Sequence, residues 1–472
     1  MNRVSASQSG SNLCDVVITN CKVLVCDSIL EAGIAIDEGK IVAIGKQTKL
    51  PHSQERIDAQ GNLVLPGLVD AHVHFRDPGL AHKEDFLSAT SAAAAGGVTT
   101  VIDEPNNKPP TTTLDALHEK KKIAKSKSVI DYSFSVAVTP SNIETMQDFI
   151  SEGIVSFDVF EEGMGDDVSI SDAKNLIRGL SAIRGTGAVA CMMNTGLPGL
   201  SQVTGEVLKG AGKKDIIAHG ESHPALGEAL GAVRNMFLAE LLGVNIHVKQ
   251  ISCALTMAAL QKIRTRGHVT LEVSPHHLLL SIHDIESLGP YGKVVPPIRA
   301  KEDCEALWSA LVDGEIDIVA TDHAPHLRKE KDAGVNDIWE APAGLPGVET
   351  MLPLLLTEVN RGRISLKRMI EVTSYRPAQI FRLYPKKGTM QIGSDADLVV
   401  VDLKRKGTIM GKKLHSKAGW TPFEGWNVQG LPVMTIIRGE VVMEEGTIVS
   451  EPGSGEFVSP STRNEIESPE GQ

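Results

Sequence analysis

Cysteine is scarce in this sequence, and long apolar runs are absent. The chain has six cysteines among 472 residues, none of them in a C-x-x-C pair, so the sequence predicts neither a disulfide framework nor a thiolate zinc site. No stretch approaches the roughly 18 apolar residues of a membrane span. Residues 1–13 also lack the apolar segment of a secretory signal. We therefore expect a soluble, cytoplasmic protein that does not bind a membrane.

Basic residues are also in the minority. The 47 lysines and arginines face 59 aspartates and glutamates, which leaves a formal net charge of −12. The basic residues form no stripe of the kind that neutralises a phosphate backbone, and no glycine-rich segment has the pattern of a phosphate-binding loop. Nucleic acid is therefore not an expected partner. A hydrophobic fraction of 42% with 22% charged residues excludes a disordered chain.

The order of the apolar segments predicts an α/β fold, a (β/α)8 barrel over residues 67–385. Strand-like runs alternate there with helical stretches, and the chemistry of such barrels lies at the carboxyl ends of the strands. The predicted barrel strands are 68–74, 98–103, 132–138, 154–160, 215–219, 244–251, 268–273 and 316–321. Residues 187–193 are a further strand candidate, which we assign to an insertion between the fourth and fifth strands.

Short β-like segments flank the barrel region on both sides in sequence. We expect residues 14–66 and 386–450 to form together one small composite β-sandwich domain beside the barrel. Residues 1–13 are polar, and residues 451–472 are rich in Ser, Glu, Pro and Gly. Both ends are therefore expected to be disordered tails.

Potential metal ligands occupy the predicted strand ends. His72 and His74 are two residues apart where the first barrel strand ends, so both imidazoles face the same way. His219 ends the predicted fifth strand, and Asp322 ends the eighth. Three imidazoles and a carboxylate at one barrel mouth suit Zn²⁺ or a similar divalent ion, whose bound water becomes a hydroxide nucleophile near neutral pH.

Several motifs in order resemble those of dihydroorotases and related cyclic amidohydrolases. The resemblance covers about residues 15–445 and implies an amidohydrolase barrel with a composite β-sandwich, in agreement with the strand pattern. It implies a hydrolase that opens the ring amide of a small cyclic substrate. The motifs are DAHVHFRDPG at 70–79, PN at 105–106, EVSPHH at 272–277, PPIR at 296–299, ATDHAPH at 320–326 and GSDADL at 393–398.

The resemblance also implies roles for single residues. Arg76, Asn106 and His326 match the positions with which dihydroorotases hold a substrate carboxylate, and allantoinases and hydantoinases generally lack the arginine. An arginine, an amide and an imidazole form a reasonable carboxylate pocket, because charge-assisted hydrogen bonds are strong. We also expect Asp322 to act as the general base, because an ionised carboxylate beside the ion can take the proton of the attacking water and pass it to the departing ring nitrogen.

Two departures from the family pattern fall on metal positions. Many relatives have a carboxylated lysine on the fourth strand that bridges two metal ions, whereas this chain has Asp158 there, with Glu161 as a second acidic candidate. The family motif of the sixth strand would place a histidine ligand at residue 250, where this chain has Gln250. His247 is three residues upstream and should face the other way. We therefore expect one firmly bound Zn²⁺ or other divalent ion, with Asp158 as an additional ligand.

Three hypotheses about function follow. The chain is a dihydroorotase-like hydrolase with one metal ion, a hydantoinase-like or allantoinase-like hydrolase of another ring, or a non-catalytic homologue. Retention of His72, His74, His219 and Asp322 favours the two catalytic hypotheses. The expected partner is a small cyclic amide, and the sequence leaves a homo-oligomer open.

Overall fold

The computed structural model describes residues 13–25, 27–161, 168–170, 172–197, 199–263 and 267–461. Its strands form two sheets, one closed into a barrel and one beside it. The strands are Leu13–Val25 (β1), Ser28–Asp37 (β2), Lys40–Gly45 (β3), His52–Asp58 (β4), Leu63–Pro66 (β5), Leu68–Val73 (β6), Val98–Asp103 (β7), Asp131–Ala137 (β8), Ser156–Phe160 (β9), Val189–Met193 (β10), Ile246–Val248 (β11), Val269–Val273 (β12), Ile318–Val319 (β13), Leu398–Thr408 (β14), Asn427–Ile437 (β15), Glu440–Glu444 (β16) and Thr447–Ile448 (β17).

Strands β6 to β13 form the barrel, and each pairs in parallel with its neighbour in sequence. The first and last strands meet where the His74 backbone N–H donates to the His323 carbonyl oxygen at 2.8 Å. Nearly all of the barrel strand residues are buried, as expected when helices cover the outside of a parallel sheet. The α/β barrel predicted from the sequence is confirmed.

One predicted barrel strand is wrong. Residues 215–219 do not form a strand, because the Asp215 side chain accepts a hydrogen bond from the Ala218 backbone N–H at 2.8 Å and so caps a helix that spans Ile216–Ser222. The fifth barrel strand is instead β10, which falls within the segment that we assigned to an insertion. It pairs with β9 on one side and β11 on the other.

The helices follow most of the barrel strands in sequence, and none of those described is long and apolar enough to cross a membrane. The α-helices are Phe86–Ala95 (α1), Leu114–Lys127 (α2), Met146–Ser151 (α3), Ala173–Thr186 (α4), Leu200–Gly210 (α5), Ile216–Ser222 (α6), Ala225–Leu242 (α7), Ala254–Gln261 (α8), Pro275–Leu279 (α9), Ile282–Leu288 (α10), Lys301–Val312 (α11), Arg328–Asp332 (α12), Met351–Asn360 (α13), Leu366–Ile370 (α14) and Arg376–Ile380 (α15). Short 3₁₀ segments span Gln47–Lys49, Ile143–Thr145, Gly289–Gly292, Ile338–Glu340 and Gly411–Lys413, and a π-helical turn spans Glu371–Tyr375.

The second sheet is mixed and contains strands from both ends of the chain. Its order is β17-β16-β15-β14-β5-β1-β2-β3, with β4 paired to β1. The two halves join where β5 runs antiparallel to β14, with Pro66 opposite Leu398. One face of this sheet has its own apolar core, which includes Ile18, Ile34 and Val400. The composite sheet expected from the sequence is therefore present.

The C-terminal segment departs from the expectation of a disordered tail at residues 451–461. The Val458 backbone N–H donates to the Tyr132 carbonyl oxygen at 2.8 Å, and Val458 is only 1% exposed. The Phe457 ring packs against Phe134, with centroids 5.6 Å apart. These two apolar residues anchor a segment whose Ser, Glu, Pro and Gly content had suggested a tail. Residues 1–12 and 462–472 lie outside the described residues.

Candidate metal centre and substrate cavity

Closure of the barrel brings together three of the predicted metal ligands. His72 lies in β6, His74 follows the end of that strand, and Asp322 follows β13. One ligand atom from each of the three residues lies within 4.8 Å of the others, and all three side chains are buried. The backbone at Asp322 is left-handed, with φ of 48°. This conformation is uncommon outside glycine and is often found at functional sites.

A second side chain orients each imidazole. The Nδ1 atom of His72 lies 2.7 Å from Oε1 of Glu272, and the Nδ1 atom of His74 lies 2.8 Å from Oδ1 of Asn106. A hydrogen bond from Nδ1 to an oxygen leaves the Nε2 atom free to bind a metal ion, which is the common arrangement of metal-binding histidines. Glu272 and Asn106 therefore point both Nε2 atoms toward Asp322.

The free atoms of this group fit one divalent cation. Nε2 of His74 lies 3.2 Å from Oδ1 of Asp322, so a lone pair and a carboxylate oxygen face each other. Nε2 of His72 is buried 3.4 Å from the same oxygen and has no hydrogen-bond partner among the described residues. Acceptor atoms that converge in this way repel each other unless a proton or a cation lies between them. Two imidazoles and one carboxylate with open coordination positions form a ligand set typical of catalytic zinc.

The charges around the group favour one proton on His72 when no ion is bound. Burial lowers the pKa of the His72 imidazole, but the carboxylates of Glu272 and Asp322 outweigh burial and raise it to about 9. Burial lowers the pKa of His74, which is therefore neutral. Burial opposes ionisation of Asp322, but the neighbouring His72 and His74 hold the pKa of its carboxyl well below its usual range.

Zn²⁺ binding at pH 7 is expected to release close to one proton per ion. His72, with a pKa of about 9, is protonated at pH 7, whereas a metal ion binds only the neutral imidazole. The apparent affinity should therefore rise about tenfold per pH unit and level off near the pKa of His72. Titration calorimetry in two buffers of different ionisation enthalpy counts the released protons. A count of zero would show that His72 is already neutral in the ion-free protein.

His219 does not join this group. It lies on α6 rather than at a strand end, and its Nε2 atom is 2.8 Å from the carbonyl oxygen of Val294. Burial and the neighbouring His223 lower the pKa of its imidazole to about 3. The end of the true fifth strand, β10, carries Met193 and Asn194 instead of a histidine. The structure therefore brings together two of the three predicted imidazoles.

Asp158 is hydrogen-bonded to a residue outside the three-ligand group, whereas Gln250 contacts Asp322 within it. Asp158 lies in β9, and its Oδ1 accepts a hydrogen bond from Nζ of Lys249 at 3.2 Å. Gln250 follows β11, and its Nε2 donates to Oδ2 of Asp322 at 2.8 Å. The carboxamide thus holds the Asp322 oxygen that faces away from the two imidazoles. Glu161, the other acidic candidate, is ion-paired with Arg234.

The predicted substrate residues line a cavity of about 340 Å³ next to the metal ligands. Arg76, Asn106 and His326 all border it, together with His74 and Asp322. Nη2 of Arg76 lies 3.3 Å from Nε2 of His326. Burial, and then the charge of Arg76, lowers the pKa of His326, so this imidazole is neutral beside the guanidinium. Apolar side chains of Phe160, Met193, Leu197 and Leu200 form another part of the wall.

Two charged residues at the site, Glu272 and Lys249, were not predicted from the sequence. Glu272 orients His72 and also lies 3.3 Å from Nε2 of His247. Lys249 lies in the barrel interior and pairs with Asp158 and with Glu104. Both residues had a signal in the sequence, because a charged residue in or beside an apolar barrel strand must find a partner of opposite charge. The sequence alone does not show which charged residues pair, because this depends on the register of the strands.

Comparison with known proteins identifies the family of this chain. Residues 63–442 match the model of the amidohydrolase family, and residues 1–65 match that of the N-terminal domain of the urease alpha-subunit. A dihydroorotase of Methanosarcina acetivorans is 39% identical over 97% of this chain and 98% of its own length. An L-hydantoinase of Paenarthrobacter aurescens is 36% identical over 94% of this chain and 98% of its own length.

Solved structures give the same result. An L-hydantoinase (dihydropyrimidinase) from Arthrobacter aurescens superposes with a TM-score of 0.91 at 35% identity and covers 94% of this chain and all of its own. A D-hydantoinase structure superposes with a TM-score of 0.88 at 32% identity. With the family match over most of the chain and relatives that align nearly end to end, the chain belongs to the amidohydrolase family and is a cyclic amidohydrolase of the dihydroorotase and hydantoinase type.

Proposed function

We propose that the protein is a metal-dependent dihydroorotase, which hydrolyses the ring amide of a carboxylate-bearing dihydropyrimidine. The observation that carries this proposal is the burial of Arg76 without a carboxylate partner among the described residues. Its side chain is buried, with 8% exposure, and borders the cavity. Within the described part of the chain, Arg76 forms no ion pair with a carboxylate. A buried charge without a partner is costly, so an anion from the substrate is the natural counter-ion.

The neighbours of Arg76 support an anionic substrate. Nε2 of His326 donates to the Ala343 carbonyl oxygen at 3.0 Å, and Nζ of Lys83 lies 3.2 Å from Nδ1 of the same ring. The neutral imidazole therefore lies beside the Arg76 guanidinium, 3.3 Å away, without neutralising it. Asn106 borders the same cavity, and its Oδ1 is engaged by His74. Its amide N–H groups therefore remain as the donors that can face a carboxylate. Anchoring of the carboxylate would place the substrate ring over Asp322 and convert binding energy into orientation.

We propose Zn²⁺ as the ion held by His72, His74 and Asp322. When bound, it polarises the amide carbonyl and acidifies a water molecule. The protein residues then orient and move protons. Asp322 takes the proton of the attacking water and delivers it to the ring nitrogen as the C–N bond breaks, which requires an ionised carboxylate. Its low pKa supplies that state, and Gln250 holds the carboxylate in place.

Arg76→Ala is expected to separate dihydroorotate from uncharged rings. Loss of a buried charge partner costs about 2 kcal/mol or more, so kcat/KM for dihydroorotate should fall by about 30-fold or more. Hydrolysis of hydantoin or dihydrouracil should change little, because these rings carry no carboxylate. The measurement is a steady-state assay of all three substrates with wild type, Arg76→Ala and the charge-preserving Arg76→Lys.

Two outcomes of this assay would contradict the dihydroorotase proposal. One is unchanged dihydroorotate hydrolysis by Arg76→Ala, and the other is turnover of uncharged rings alone by the wild type. Either result would favour a hydantoinase-like function. The apolar wall of Phe160, Met193, Leu197 and Leu200 supports that second candidate, because it could accommodate an apolar substituent on a hydantoin ring.

A further inference from the structure

A second cluster of charges lies in the barrel interior beside the three ligands. Glu104 follows β7, Asp158 lies in β9, and Lys249 follows β11. Nζ of Lys249 donates to Oε1 of Glu104 and, at 3.2 Å, to Oδ1 of Asp158. None of the three side chains is more than 1% exposed. The cluster is close enough to His72 that the charge of Lys249 lowers the pKa of this imidazole and the charge of Glu104 raises it. None of the three residues of the cluster takes part in the proposed chemistry.

The three buried groups shift one another's pKa values. Burial and the charge of Asp158 raise the pKa of the Glu104 carboxyl, and the charge of Lys249 opposes this shift. Burial disfavours the charged forms of both Lys249 and Asp158. The attraction between their opposite charges is stronger than this effect, so the pKa of Lys249 is raised and that of Asp158 is lowered. The ion pairs of Lys249 with both acidic side chains offset the cost of burying these charges.

Without Lys249 the same carboxyl groups would resemble an incomplete cation site. In the part of the chain that the structure describes, Oε2 of Glu104 and Oδ2 of Asp158 are buried and have no hydrogen-bond partner. By resemblance to the family, Asp158 matches the fourth-strand position at which many relatives carry the lysine that bridges two metal ions, with Glu161 as the alternative. The next residue along the chain, Gln250, occupies the family position of a histidine ligand, and its N–H group binds Asp322 at 2.8 Å. Residues 249 and 250 therefore direct N–H donors at carboxylates that would otherwise face a second ion.

We infer that the Lys249 ammonium takes the place of a second metal ion, so that this barrel binds one divalent cation where its lysine-bridged relatives bind two. The inference rests on the metal binding of the proposed function. It assigns to Lys249 the role of a positioning residue, which neutralises Asp158 and keeps a second ion out of the barrel. An ordinary structural ion pair would have no effect on metal stoichiometry, and this difference is the basis of the test.

The test counts zinc in the whole protein after saturation with Zn²⁺ and desalting, by elemental analysis. Lys249→Met removes the ammonium and leaves both carboxyl groups, so zinc content should rise from one to two ions per chain. Lys249→Gln keeps an N–H donor, is milder for folding, and should also bind two. Added Zn²⁺ should raise the melting temperature of both variants more than that of the wild type, because a ligand that binds only the folded state stabilises it.

Two further variants serve as controls. Lys120→Met removes another fully buried lysine, whose Nζ lies 2.7 Å from Oδ2 of Asp103 and which also donates to the Glu104 carbonyl oxygen. Its zinc content should stay at one. The double variant Lys249→Met, Glu104→Gln lacks one of the carboxyl groups, and its zinc content should return to one.

Each outcome has a defined meaning. Two ions in the wild type, or one ion in both folded Lys249 variants, would overturn the inference. No ion in the wild type but one ion in the Lys249 variants would support the replacement of an ion by the Lys249 ammonium and would refute the proposed metal dependence. If the variants fold only with added Zn²⁺, two ions in the refolded protein support the inference. If the Lys249 variants do not fold at any Zn²⁺ concentration, the inference is overturned, because it requires that an ion from solution can replace the ammonium.

Discussion

Asp322→Asn is expected to lower kcat for dihydroorotate by about 10²–10⁴-fold, the usual contribution of a general acid or base. Asparagine has nearly the same shape, and its amide can donate to Nε2 of His74 while its oxygen accepts from Gln250. The fold should therefore survive, but the side chain can no longer accept a proton. The measurement is kcat at equal zinc content, with circular dichroism as a check of the fold.

The control for this variant lies at the other end of the same strand. Asp317 precedes β13, is buried, and pairs with Arg376 at 2.8 Å. Asp317→Asn removes the same charge far from the cavity, so it should lower stability without lowering kcat. If Asp322→Asn with bound zinc turned over within about tenfold of the wild type, below the usual contribution of a general base, Asp322 would not be the base.

The second large effect is expected from His72 and His74, the two histidines at the end of β6. The variant His72→Ala, His74→Ala should lose its bound metal and with it all hydrolysis. Mutation of residues that only support a metal ligand commonly costs 10–100-fold in affinity, so loss of two ligands should lower Zn²⁺ affinity by more than about 100-fold. Equilibrium dialysis with a competing chelator measures the affinity, and elemental analysis measures the content.

His219→Ala is the matched control for the histidine variant. This histidine is also buried, but its Nε2 atom is hydrogen-bonded to the Val294 carbonyl oxygen and is not part of the three-ligand group. Its replacement should leave a cavity and lower stability without loss of zinc. Loss of zinc from His219→Ala, or normal zinc in the double variant, would show that the ligands are assigned wrongly.

Much of the fold could be predicted from the pattern of apolar segments, because barrel strands are buried on both faces and stand out as short apolar runs. The error at the fifth strand has a physical cause. The run at 215–219 is apolar enough for a strand, and only the capping hydrogen bond of Asp215 makes it the start of α6. The true strand β10 is equally apolar, and its pairing with β9 and β11 distinguishes it.

The candidate site was predictable where neighbours in sequence are neighbours in space. The pair His72 and His74 is predicted from the alternation of side-chain direction along one strand, and Asp322 is predicted from its place after a strand. The charge pairs were not predictable, because Glu104, Asp158 and Lys249 come from three different strands and meet only when the barrel closes. The family motifs identified Asp158 as a replacement for a metal-bridging residue. They did not predict its ion pair with the Lys249 ammonium.

The mixed sheet has a consequence for synthesis of the protein on the ribosome. Strand β5 pairs with β1 on one side and with β14 on the other, and the entire barrel lies between β5 and β14 in the chain. At ordinary rates of translation, the open edge of β5 waits on the order of tens of seconds for its partner. An unpaired apolar edge is a template for association with other chains. Emergence of β14 is therefore the event that removes this aggregation hazard from the nascent chain.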